Sequence, residues 1–164
     1  MIEEPKPQAV KQDEKPEAEK WHRYFAVEAN NRAWRLADLA DITEEQRIEA
    51  FRTAYASAYH WFAVGTEHNR AHAELLLARV HVLIREPEPA LRYANAAHQY
   101  FTGRASENWE LAFAHAAMAD ASALGGDSAP HRQHYEQAHA LGQQLDEEDR
   151  KIFLLTFNRV PRPS

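Results

Sequence analysis

Phe51, Tyr55, Ala58 and Phe62 recur at the i, i+4, i+7, i+11 spacing of one helix face, and Leu111, Ala114, Met118 and Ala121 form a second such stripe. Stripes of this period predict amphipathic helices, with Phe51, Tyr55, Ala58 and Phe62 facing a core. The punctuation between stripes sets the boundaries. A first helix is expected from Glu17 to Ala40. Thr43, followed three residues on by Gln46, has the form of a capping box and starts a second helix that ends near Gly65. Thr66 caps a third, reaching Arg85, and Pro87 and Pro89 open a fourth that stops at Gly103. Ser106 begins a fifth, which halts at Gly125-Gly126. Ser128 and Pro130 start the sixth, and the acids from Asp146 to Asp149 favour the positive end of a seventh. The expected fold is all-α: about seven antiparallel helices, as three hairpins and a C-terminal helix, with connections of only two to five residues.

Composition agrees with that reading. The 164 residues suit one domain, and 30 alanines against 5 glycines, 5 isoleucines, 6 valines and 5 threonines favour helix over strand. Residues 1–20 differ, holding ten charged residues and three prolines but no aromatic. Residues 1–16 are therefore read as a disordered charged tail, 17–158 as the helical domain and 159–164 as a C-terminal tail. No cysteine is present, which excludes disulfides, thiolate metal sites and cysteine nucleophiles. A formal charge of −6 opposes nucleic acid as a partner. The start lacks the basic and apolar regions of a secretory signal, and no apolar run is long enough to span a bilayer, so the expected location is cytoplasmic and no membrane partner is implied.

The hairpins repeat. Ala50, Ala54 and Ser57 align with Ala90, Ala94 and Ala97 at an offset of 40, and these with His131, Tyr135 and Ala138 at an offset of 41. Leu77-Ala78 in one helix faces Ala90, Ala94 and Ala97 in the next, a spacing of small residues that permits close helix approach. On these residues the stretch of roughly 20–145 resembles the tetratricopeptide repeat. The wording around Ser57-Ala58-Tyr59-His60-Trp61 and Trp109-Glu110-Leu111-Ala112-Phe113 is also similar to a group of bacterial helical-repeat proteins. The resemblance implies hairpins stacked into a superhelix whose concave groove, lined by the first helix of each pair, binds another protein. It would bring Arg32, Arg35, His72, Arg79 and Asp120 toward that groove, with Trp109 at a helix mouth beside it. An acidic segment or a free carboxyl terminus is the expected ligand. The seventh helix, with Ile152, Phe153, Leu154, Leu155 and Phe157, is apolar on nearly every side. It either packs back on the core or presents a face to a partner, including a second copy of the chain.

Ten histidines are the compositional oddity. His68 and His72, four apart, reach the same side of one helix, as two ligands of one metal ion would. Asn69 stands where a metalloprotease motif places its general base. His131, His134 and His139 form a second group, in which Glu136 and His139 have Glu-x-x-His spacing, as Glu19 and His22 do; the order along the chain does not fit a di-iron bundle. No nucleophile elbow or phosphate-cradling glycine loop occurs. The chain is accordingly read as a non-enzymatic, cofactor-free binding module for another protein. The alternative is a small-molecule or metal-dependent helical-bundle enzyme using the clustered histidines.

Overall fold

The computed structural model describes residues 15–164, which form seven helices and no strand: α1 Lys15–Ala37, α2 Glu44–Val64, α3 Glu67–Leu83, α4 Pro87–Thr102, α5 Asn108–Gly125, α6 Ser128–Gln144 and α7 Glu147–Phe157. The expected tail falls outside the described residues except for Lys15 and Pro16, which open α1. The capping boxes form as the spacing requires. Thr43 Oγ1 accepts from the Gln46 N–H while Gln46 returns a bond to the Thr43 N–H, and Thr66 and Asn69 do the same for α3. Gly126 ends α5 in the left-handed region at φ 78°, where a side chain would be strained.

Four boundaries differ from the sequence reading, the first being the start of α1 at Lys15 rather than Glu17. α1 ends at Ala37 rather than Ala40. α3 ends at Leu83, because Arg85 turns the chain at φ 62° before Pro87. α5 starts at Asn108, since the Ser106 hydroxyl donates to the Phe101 carbonyl and so closes α4 instead of capping α5.

Each helix packs on its neighbours in the chain, and the odd-numbered helices also contact one another in succession, α1 on α3, α3 on α5 and α5 on α7. The odd helices thus make an inner layer and the even ones an outer layer. The repeated small positions are the seams between layers: Ala50, Ala54, Ser57, Ala90, Ala94, Ala97, His131 and Ala138 are all buried. Ser57 shows how close the approach is, its hydroxyl donating to the Ala26 carbonyl of α1 at 2.9 Å. The register differs from expectation in one respect. Ala94 packs with Ala78 and Met118, whereas Ala97 sits against Ala71, Leu75 and Ala114, and Leu77 turns toward α1 and α2.

The outer position of α2 overturns the expected burial of its aromatic stripe. Only Ala58 of that set is buried, Phe51 is half-buried, and Tyr55 and Phe62 are exposed. α7 covers α5 and α6 with Phe153 and Phe157, Thr156 donates to Asp38 Oδ1 at 2.9 Å, and Ile152, Leu154 and Leu155 stay exposed. The C-terminal tail is docked: Val160 is buried, the His131 imidazole bonds the Pro161 carbonyl at 2.8 Å, and Arg132 donates to the Ser164 carbonyl. Among the described residues, no helix is long and apolar enough to cross a membrane.

Candidate functional site

The residues expected to share one groove divide between two places. Arg79 and Asp120 line a cavity of about 400 Å³ at the end of the molecule where α3 and α5 terminate. Their ion pair, 2.8 Å long, is buried, and the second guanidinium nitrogen of Arg79 donates to the Ala37 carbonyl at 3.1 Å. Burial pushes the Asp120 carboxyl up, and the charge and hydrogen bond of Arg79 oppose that push. Arg79 Nε is buried without a partner.

Three arginines that the sequence reading did not single out complete the wall: Arg47, Arg85 and Arg159. Arg47 donates to the Leu83 carbonyl at 2.8 Å, capping α3, and Arg159 reaches the Asp38 carbonyl at 3.5 Å. Arg85 is exposed, and its guanidinium makes no hydrogen bond or ion pair among the described residues. Four arginines therefore line one cavity, opposed by Asp120 in its wall, by Glu44 beside Arg47 at 3.9 Å, and by the Asp38 carboxylate beside Arg79 and Arg159. An arrangement of this kind attracts carboxylates, because each fork presents parallel donors to a planar anion.

His72 and Trp109 belong to a second cavity, of about 370 Å³, lined also by Trp34, Phe113 and Ile152. The His72 ring stacks on Trp109 at 5.3 Å and 17°. At its rim, His68 and His72, one turn apart on α3, both meet Glu110 Oε1 from the first turn of α5, at 2.5 and 3.0 Å. The other carboxylate oxygen of Glu110 accepts the Glu107 N–H at 3.0 Å. Burial raises the Glu110 carboxyl, but that amide and the two imidazoles outweigh it and the net shift is downward. Burial lowers His72 against the pull of Glu110. Every group in the trio has a partner, and the trio clasps α3 to α5.

Arg32 and Arg35 reach neither cavity. Arg32 pairs with Glu49 of α2 at 2.7 Å in an exposed position, and Arg35 is exposed in the last turn of α1. The expected single cationic groove thus gives way to an arginine-lined end cavity and a separate aromatic cavity.

The three histidines of α6 separate as well. His131 turns inward to the Pro161 carbonyl, and His139 lies beside Phe157. His134 instead meets His98 of α4 and His115 of α5. Burial lowers all three of these last rings, and mutual repulsion lowers His115 further, to about 4. Elsewhere His22 and His60 form a pair at 2.9 Å, and Tyr55 bonds the buried His81, which bonds Glu86, each at 2.8 Å. Burial and the neighbouring Tyr93 push the Tyr55 phenol up, and this chain of bonds ties α2 to α3.

Compared with protein-family models, curated proteins and solved structures, the chain gives no significant match.

Proposed function

We propose that the chain is a non-enzymatic helical-repeat module that binds another protein by taking an acidic segment or a free carboxyl terminus into the arginine-lined cavity. One observation carries the reading: Arg47, Arg79, Arg85 and Arg159 surround a single cavity of about 400 Å³ in a chain whose net charge is −6. A local excess of positive charge in an acidic protein steers an anionic segment to that place and repels it elsewhere. The exposed Arg85 guanidinium, with no side-chain partner among the described residues, is the donor placed to receive it. The layered hairpins and the resemblance to tetratricopeptide repeats support a binding role over a catalytic one.

The test uses fluorescence anisotropy of the full chain with short peptides that end in a free carboxylate and carry further acids. Arg85→Glu with Arg159→Glu leaves the buried Arg79–Asp120 pair in place. The expected result is binding that weakens with salt and falls by about tenfold or more in the double variant. Equal affinity for an amidated neutral peptide, or no change in the double variant at low salt, refutes the proposal.

A further inference from the structure

We propose that His98, His115 and His134 form a binding site for a borderline divalent transition-metal ion of the zinc(II) class, with one imidazole nitrogen contributed by each of three consecutive helices. The site is independent of the arginine-lined cavity. One ring nitrogen from each residue lies within 4.8 Å of the other two. The ring centroids are 4.7, 5.0 and 5.2 Å apart. His115 Nδ1 and His134 Nδ1 approach to 2.9 Å, so one proton between them holds the contact. Two nitrogens bonded to a tetrahedral ion at about 2.05 Å stand roughly 3.4 Å apart, a separation between that direct contact and the outer limit of the cluster. Small side-chain rotations suffice to admit an ion.

The chemistry of the donor set points the same way. Apart from the His115–His134 contact, none of the three rings has a hydrogen-bond partner among the described residues, and His98 Nε2 is buried with none. Buried ring nitrogens ordinarily find an acceptor or donor, and an unpartnered one is open to a metal ion. Here three neutral imidazoles face one another with no carboxylate among them. Nitrogen donors without oxygen select zinc(II), copper(II), nickel(II) or cobalt(II) over magnesium and calcium. The clasp of His68, His72 and Glu110 differs, because its imidazoles already share a carboxylate that is itself anchored by an amide.

Three protein ligands leave a tetrahedral ion one position for water or a small ligand. A cavity of about 530 Å³ lined by Asn95, Met118 and Pro130 lies on the same three helices. These residues are three before His98, three after His115 and four before His134.

Equilibrium dialysis of the chelator-stripped full chain against zinc(II), and separately cobalt(II), tests the site. The wild type should retain one equivalent, and cobalt(II) should give the intense visible bands of tetrahedral coordination. Glu110→Gln should retain this binding. His115→Ala should lose at least the roughly 10–100-fold in affinity that even an outer-shell partner is worth. No retained ion in the wild type, unchanged affinity in His115→Ala, or loss in Glu110→Gln overturns the proposal. Should His115→Ala fail to fold, imidazole nitrogen-15 shifts of the wild type during a zinc(II) titration read the ligands directly. Movement at His98, His115 and His134 supports the site, and movement at His68 and His72 alone overturns it.

Discussion

Arg79 on α3 and Asp120 on α5 meet at 2.8 Å with both side chains buried, and they lie 41 residues apart, the offset that also relates the repeated small positions. In this layered arrangement, residues about 40 apart become neighbours on successive inner helices. A buried pair of this kind depends on both partners. Asp120→Ala leaves an uncompensated guanidinium and should cost about 3–5 kcal/mol in urea denaturation. Replacing both, as Arg79→Met with Asp120→Leu, should recover most of that loss. A single variant as stable as the wild type would show that the pair contributes no cohesion.

The close approach of α4 to its neighbours gives a second expectation. Ala97 is fully buried among Ala71, Leu75, Phe101 and Ala114. Ala97→Leu should destabilise by about 1–3 kcal/mol through overpacking, read as a lower denaturation midpoint at constant slope. An unchanged midpoint would place the seam elsewhere.

Gly142 of α6 lets the Phe153 ring of α7 approach closely. A Cβ there would lie 2.6 and 3.1 Å from two ring atoms of the fully buried Phe153. Alanine gains about 1 kcal/mol of helix propensity over glycine, yet the ring, packed against Phe113 and Phe157, has little freedom to retreat. Gly142→Ala should therefore lower the melting temperature, and Phe153→Leu in the same chain should reduce the effect of the alanine. An alanine variant that melts higher than the wild type would mean that α7 shifts freely.

The elements were legible because their punctuation is local: Thr43 with Gln46, Thr66 with Asn69, and Gly126 act within one turn of the helix they bound. What the sequence concealed lies between helices. The α2 stripe has the period of a buried face, but no periodicity reveals that α2 occupies the outer layer, where Tyr55 and Phe62 stay exposed. The α6 histidines are close in sequence, yet His139 stands five residues from His134, about 140° round the helix, so the two serve different surroundings. The detectable signal was the repeat itself. Arg79 and Asp120 are 41 apart, so pairing polar residues at that offset finds their contact, and His68–Glu110 at 42 and His72–Glu110 at 38 fall close to it. His115 and His134 join adjacent helices at a separation of 19, which the repeat offset does not reach.

The histidine cluster also fixes an acid limit for the fold. His115 titrates at about 6.5 in the unfolded chain and at about 4 in the folded one, pushed down first by burial and then by His98 and His134. Between those values the unfolded chain binds the proton and the folded chain does not. Stability then rises with pH across this window. The contribution is complete above about pH 6.5, falls as the solution is acidified, and reaches its floor near pH 4. His98 and His134 shift in the same direction and add to the slope. Thermal melts in chelator at pH 7, 5.5 and 4.5 should show a progressive fall in melting temperature, and the fall should be smaller for His115→Gln, which carries no titrating ring. Identical pH dependence in the variant and the wild type would place the acid sensitivity elsewhere in the fold.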